Sequence, residues 1–301
     1  MNESLVRLLK RIPTINTYGN KRKAYVSIIV TSISQVQKDC LYVAINGDIE
    51  EAINFGARAV VSENPPEDNF LGKVVYLHVK NINETLSKLW AAWFSYPSRK
   101  IRVIGVTGTK GKSTTCNLIK NFFISAGIKA EALDTTNLDS KQIQSGLAEI
   151  VKQGCKYAVL EIPLKVIQDY KISGVKFDVA VFTNLSREEI VYRQIFARLF
   201  REVSMSVINR DDPSWRSYKL ASKGALTRNY SFRQDAYCRA KNIIYRNGIF
   251  EFNLKLERYT HKFSTPKAGD YNISNILASV TAVRFYKVNW ERVIEAVGRM
   301  V

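Results

Sequence analysis

Residues 105–115 read GVTGTKGKSTT, and the meaning given to that run decides how the rest of the chain is read. The residues leading into it, Ile101–Val106 (IRVIGV), are rich in β-branched side chains and predict a buried strand. Residues 112–127 (KSTTCNLIKNFFISAG) predict a helix, with Leu118, Phe122 and Ile124 among its apolar positions and Gly127 as its stop. Strand, glycine turn and helix in that order gather several backbone N–H groups around one point. Glycine lets the backbone approach closely and adopt positive φ. The side chains suit a phosphate: Lys112 can reach the outer phosphates of a nucleotide, and Ser113 offers a hydroxyl to Mg2+. The spacing is not the common one. The usual loop has a glycine five residues before the Gly-Lys pair; that place is held here by Val106, and the nearby glycines are Gly105 and Gly108.

Working outward, strands alternate with helices on the C-terminal side. QIQSGLAEIVKQG (142–154) predicts a helix, and YAVLEI (157–162), FDVAVFTNL (177–185) and SMSVIN (204–209) predict strands. That rhythm implies βαβ units and a mostly parallel sheet, with ligands at the carboxyl ends of its strands. Those ends carry Thr107–Ser113, Glu161, Thr183–Asn184 and Asn209–Asp212. The stretch from Ser231 to Phe263 predicts antiparallel strands, with RNGIF (246–250) as a hairpin signal. Helices follow at 272–286 and 289–300. On the N-terminal side, AYVSIIVTS (24–32), DCLYVAING (39–47), Ala59–Val61 and GKVVYLHV (72–79) predict strands, and 82–97 predicts a helix with Leu86, Leu89, Trp90, Trp93 and Phe94 at helical spacing. A short amphipathic helix is expected at the start, with Leu5, Leu8, Leu9 and Ile12 on one face. The expected fold is α/β. A small N-terminal α/β domain (1–98) is followed by a mostly parallel-sheet mononucleotide-binding domain (99–301) with an antiparallel extension.

The bulk numbers narrow the chemistry. The chain has 301 residues and no apolar run long enough for a membrane span or a secretory signal, so a cytoplasmic location is expected. Its four cysteines, Cys40, Cys116, Cys155 and Cys238, form no CxxC pair and read as buried reduced thiols. With only two histidines, His78 and His261, a histidine-rich metal site or a Ser-His-Asp system is not expected. Lys plus Arg is 45 against 27 for Asp plus Glu, a net charge of +18. The basic residues are spread along the chain, so the charge is either a solvated basic surface or a footprint for a polyanionic partner.

The arrangement Thr-Gly-Thr-x-Gly-Lys-Ser-Thr resembles the loop of the Mur ligases and of the related folylpolyglutamate and cyanophycin synthetases. Within that group the chain most resembles the UDP-MurNAc-tripeptide synthetases. The resemblance covers nearly the whole sequence: DCLYVAING and GARAVVSE in the first domain, YPSRKIRVIGVTGTKGKSTT at the junction, then FDVAVFTNLSRE, VINRDDP and GDYNISNILASVTAV in the family's order. It implies that ATP with Mg2+ phosphorylates a substrate carboxylate and that an amine then forms the amide. It also implies roles for residues. Gly108, Thr109, Lys110, Gly111, Lys112, Ser113 and Thr114 would hold the nucleotide phosphates, and Asn275 would contact the base. Ser113, Glu161 and Glu189 would bind the metal. Thr31, Ser32, Thr135 and Thr136 would contact the UDP-MurNAc-peptide.

The chain also departs from the pattern. Glu189 stands where the family has a histidine, and EIPLK (161–165) replaces a segment with two hydroxyls and a histidine. Phe196, in IFARLF (195–200), takes the place expected for a carbamylated lysine that helps organise a second metal. Asn137 replaces a proline, and TSI (31–33) lacks the arginine of a uridine contact. The sequence stops where the family's third domain would begin. Three functions therefore stay open: a nucleotide-binding pseudoenzyme or scaffold, an amide ligase whose third domain is truncated or comes from a separate protein, and a basic nucleic-acid-associated protein.

Overall fold

The computed structural model describes residues 3–247, 249–265 and 270–300. Gly248 of the RNGIF signal and Gly269 of GDYN lie outside the described residues. The chain is mixed α/β with mostly parallel sheets, and it divides into two compact units. The first holds the described residues up to Tyr96 together with Ser140–Gln144 and Asp169–Val175. The second holds Pro97–Asp139, Ser145–Gln168 and the described residues from Lys176 onward.

The first unit contains, in order, β1 (Glu3–Ser4), α1 (Leu5–Leu9), β2 (Asn16–Tyr18), β3 (Tyr25–Val26), β4 (Ile28–Val30), β5 (Cys40–Val43), α2 (Ile49–Asn54), β6 (Ala59–Ser62), β7 (Val75–His78) and α3 (Ile82–Trp93). Its five-stranded sheet runs β2-β7-β6-β5-β4, parallel except for the edge strand β2. Strands covered on both faces read as continuous apolar runs, and Cys40–Val43 and Ala59–Ser62 are buried at every residue. One face is filled by Leu5, Leu8, Leu9 and Ile12 with Leu89 and Trp90 of α3, the other by Tyr42, Ala52, Phe70 and Tyr76. The segment 24–32, expected as one strand, is two. Tyr25–Val26 pairs antiparallel with Glu3–Ser4, whereas Ile28–Val30 pairs parallel with β5. At the break, Ser27 N–H donates to the Asp39 carbonyl at 2.8 Å.

The second unit opens with a short turn at Pro97–Arg99. It continues through β8 (Arg102–Thr107), α4 (Lys112–Ser125), β9 (Ala130–Asp134), α5 (Ser140–Lys152, whose first residues group with the other unit), β10 (Tyr157–Ile162), α6 (Leu164–Gln168), β11 (Val179–Phe182), α7 (Arg193–Phe196), β12 (Met205–Asn209), α8 (Trp215–Ala221) and β13 (Leu226–Ser231). The strands β14 (Cys238–Arg246), β15 (Ile249–Leu256) and β16 (Tyr259–Thr265) and the helices α9 (Asp270–Val283) and α10 (Trp290–Met300) complete it. The nine-stranded sheet has the order β16-β15-β14-β13-β12-β11-β8-β10-β9. Strands β9 to β13 with β8 are parallel, β14–β15–β16 are antiparallel, and β14 joins β13 in parallel over two residue pairs. Strands β9 and β13 were not foreseen, nor was β2. All three carry polar residues that interrupt the alternation: Glu131 and Asp134, Arg228 and Asn229, and Asn16. A core built from Ile104, Val106, Phe122, Phe123 and Val181 extends through Ile273 and Leu277 of α9 to Val293 and Val297 of α10.

This order places β8 in the interior of the sheet. The chain leaves β8 for β9 and β10 on one side and returns to β11, β12 and β13 on the other. A reversal of that kind opens a crevice at the carboxyl ends of the strands on either side of it. The loops after β8 and β11 both end there.

Candidate nucleotide-binding site

The loop from Thr107 to Gly111 is braced from three directions. Thr107, wholly buried, donates its hydroxyl to the Ile162 carbonyl at 2.8 Å. Gly108 has φ 134°, and a Cβ there would overlap the Thr183 hydroxyl and stand 2.6 Å from the Asn184 carbonyl oxygen. Gly111 has φ 82°, and a Cβ there would overlap Asn275 Oδ1. Both positions therefore need glycine for conformation and for space. The displaced glycine of the sequence motif is seated on the loop that follows β11.

That second loop is a clamp. Thr109 N–H donates to the Asn184 carbonyl at 2.8 Å, and Lys110 N–H to Asn184 Oδ1 at 3.0 Å. In return Asn184 Nδ2 donates to the Lys110 carbonyl at 2.9 Å, and Thr183 Oγ1 lies 2.8 Å from the same oxygen. Ser186 N–H donates to Thr109 Oγ1 at 2.8 Å, and Thr109 in turn donates its hydroxyl to Glu189 Oε2. The sequence places Thr183 and Asn184 at a strand end without giving them a role, and it does not single out Ser186. The available signal is the polar pair Thr183–Asn184 directly after a fully apolar strand.

A further layer fixes the clamp. Asp212 accepts Leu185 N–H on Oδ2 and Ser214 N–H on Oδ1, each at 2.8 Å. Burial pushes the Asp212 carboxyl above its ordinary value, and these backbone donors pull it partway back. Asn209 donates to the Thr183 carbonyl at 2.6 Å.

Helix α4 begins at Lys112 with Gly111 as its N-cap, and no side chain caps it. The N–H groups of its first turn thus have no side-chain cap, the arrangement in which a helix start can take an anion. Lys112 folds back: its ammonium donates to the Thr109 carbonyl at 2.9 Å and stands 3.9 Å from Glu161 Oε1, with both side chains largely shielded (14% and 13% exposed). Ser113 and Thr114 are exposed in the first turn. Asn275 is buried on α9 and accepts from Thr115 Oγ1 at 3.3 Å, so it backs the loop directly. Behind the helix start, burial holds the Cys116 thiol far above its ordinary value, and Glu161 and Asp134 add to the rise. All four cysteines are buried and free.

The structure therefore brings together Gly108–Thr114, Glu161, Glu189 and Asn275. Thr135 and Thr136 follow β9, whose Asp134 is the register partner of Glu161. Thr135 donates its hydroxyl to the Glu161 carbonyl at 2.5 Å, and Thr136 donates N–H and O–H to Asp134. Thr31 and Ser32 belong to the first unit, where Ser32 and Ser34 share a hydroxyl contact of 2.8 Å. Among the described residues no group of three or more His, Cys, Asp or Glu could hold a metal unaided. Mg2+ keeps several waters and is commonly bound by one or two carboxylates plus substrate phosphates. Two carboxylates, Glu161 and Glu189, and the Ser113 hydroxyl beside this loop fit that habit.

Beyond Glu189 the character changes. Phe196 on α7 is wholly buried, as is Phe200, and Leu199 is nearly so. Phe200 packs against Tyr218, which stacks on Phe182 with ring centroids 3.8 Å apart. The Tyr218 hydroxyl is buried without a hydrogen-bond partner among the described residues, and burial with the nearby Asp212 and Glu189 raises its pKa.

Known proteins share this fold. The family model described as Mur ligase middle domain matches residues 106–283. The UDP-N-acetylmuramoyl-L-alanyl-D-glutamate--2,6-diaminopimelate ligase of Gloeobacter violaceus is 29% identical over 295 residues, covering 87% of this chain and 59% of the relative. The chain thus spans about three fifths of that relative's length. A solved structure of a ligase with the same description superposes with a TM-score of 0.83 at 22% identity, over 100% of this chain and 67% of its own. The MurF ligase of Thermotoga maritima, solved in complex with ADP, gives 0.54 at 19% identity over 91% and 66%. With more than half of its residues inside the family match, and with the fold and loop described above, the chain belongs to the Mur ligase family.

Proposed function

We propose that this chain binds ATP through the loop 107–114 and serves as the nucleotide-holding part of a Mur-type system. The observation that carries this reading is the glycine loop: Gly108 and Gly111 let the backbone pack closely on Thr183, Asn184 and Asn275 beside an uncapped helix start. Backbone N–H groups of residues 111–114 and the Lys112 ammonium would take the phosphates. Ser113, Glu161 and Glu189 would hold Mg2+, which when bound neutralises phosphate charge. Lys112 would leave the Thr109 carbonyl for phosphate oxygens. The ADP complex of the MurF relative supports the nucleotide assignment by analogy.

On its own the chain is proposed to bind nucleotide without performing ligation. The support is the aromatic wall beyond Glu189, where buried Phe196 stands at the position that the resemblance reserves for a lysine. A second reading is favoured by the 29% identity to a diaminopimelate-adding ligase. In it the chain is part of an ATP-dependent amide ligase acting on UDP-MurNAc-dipeptide, and Thr31, Ser32, Thr135 and Thr136 contact that substrate.

Titration calorimetry with Mg-ATP tests the binding. Saturable binding by the wild type, with loss in Gly111→Val, is expected, and absence of heat at millimolar ATP would sink the nucleotide assignment. Incubation with UDP-MurNAc-dipeptide, Mg-ATP and amino acids separates the two readings. An amide product from this chain alone would refute the binding-only one.

A further inference from the structure

The antiparallel extension has one face that the site does not use. On β15 the buried Phe252, Leu254 and Leu256 and the partly buried Phe250 turn toward the core, so Ile249, Glu251, Asn253 and Lys255 turn away from it. Register places Arg239, Lys241, Ile244 and Arg246 of β14 and Lys262 of β16 on that same outer face. The pairing passes from Lys241↔Asn253 to Ile244↔Glu251, so β14 carries one extra residue there, with Asn242 at φ 52°. Such a bulge re-aims the side chains beyond it. It turns Ile244 outward where the unbroken alternation would have sent it toward the core.

The outer face is basic and its far end is apolar. Arg239 pairs with Asp235 and Lys262 with Glu251. Lys241, Arg246 and Lys255 make no ion pair among the described residues. At the tip, Ile244, Tyr245 and Ile249 are 43%, 58% and 41% exposed. Strand β14 pairs with β13 only at Cys238 and Arg239, so the tip stands clear of the parallel strands.

We propose that this face and tip dock peripherally on an anionic lipid surface. An interface of that kind rewards exposed apolar side chains, here Ile244 and Ile249, flanked by Lys and Arg near the negative headgroups. A nucleic-acid platform would instead present aromatic rings among its cations; among the described residues the outer face carries none, because Tyr245 lies opposite Phe250 on the core side. No described helix is long and apolar enough to cross a membrane, so the contact is superficial.

Vesicle flotation of the 301-residue chain tests this. With phosphatidylglycerol-containing vesicles at low salt, retention should be several-fold above that with phosphatidylcholine alone. The triple variant Ile244→Ser/Tyr245→Ser/Ile249→Ser and the charge reversal Lys241→Glu/Arg246→Glu should each bring it down to the phosphatidylcholine level. Both sets lie on exposed positions, so unchanged thermal unfolding is the accompanying control. Equal retention on the two vesicle types, or full retention by either variant, would overturn the proposal. So would a concentration-dependent dimer in sedimentation that the triple variant abolishes without vesicle binding, or oligonucleotide binding that the charge reversal removes while vesicles are ignored.

Discussion

The loop that follows β8 and the segment that follows β11 lie side by side at one edge of one sheet, yet they are built in different ways. Around residues 107–114 the loop is held by hydrogen bonds to Thr183, Asn184 and Ser186, and two glycines let it close on Asn184 and Asn275. A few residues beyond Glu189, the chain fills its space with Phe196, Leu199 and Phe200. The first region is held by hydrogen bonds and leaves its helix start uncapped, whereas the second is filled with its own apolar side chains.

If the regions are independent, damage to each should have a different signature. The largest effect is expected from Phe196→Ala. Truncating a wholly buried phenylalanine should cost about 3–5 kcal/mol of stability, seen by chemical denaturation, with the Mg-ATP affinity of the folded fraction unchanged. A parallel loss of affinity would show that the wall supports the cradle. Next comes Lys112→Ala. Losing a charge-assisted contact of about 1.5–3 kcal/mol should weaken Mg-ATP binding roughly ten- to a hundredfold or slightly more. Wild-type affinity in calorimetry would remove the lysine from the site. Asp212→Ala joins the regions through Leu185 and Ser214. It leaves two backbone donors unpaired, at about 1–3 kcal/mol in total stability, and it should loosen the Thr109–Ser186 contact enough to weaken ATP binding modestly. Stability loss with intact binding would mean that the clamp is held by Asn184 alone.

The smallest effect is a pH slope. Burial raises the Asp212 carboxyl in the folded chain. Between the unfolded value of about 3.9 and that raised value, the folded state holds a proton that the unfolded state has released. Stability should therefore fall as pH rises through this window, and Asp212→Asn should flatten the slope in pH-dependent denaturation. A slope of opposite sign would place Asp212 among the carboxylates stabilised by their hydrogen bonds.

Much of this was legible in the sequence, because the loop and its helix are local. Gly108, Gly111 and Lys112 sit in one unbroken run, and the α/β alternation around them is strongly periodic. What was not legible is non-local or half-polar. Asn184 grips Lys110 from more than seventy residues away, and nothing in FTNLSR states its partner. Strands β9 and β13 escaped because Glu131, Arg228 and Asn229 break the apolar pattern while the neighbouring strands still pair with them. The division of 24–32 into two strands depends on Asp39, whose carbonyl takes the Ser27 N–H. Asn275 presses on Gly111 through a contact that spans most of the second unit's sequence.

The extra residue in β14 also bears on how copies of this chain avoid one another. Beyond Arg239 the strand has no partner on the β13 side among the described residues, and a straight, unpaired strand invites edge-to-edge growth into aggregates. The bulge at Asn242–Ile243 bends that edge and breaks the regular spacing of its donors and acceptors, and Lys241 sets a charge beside it. The hairpin can therefore keep an apolar tip in water while denying another strand the flat template that it would need to add on.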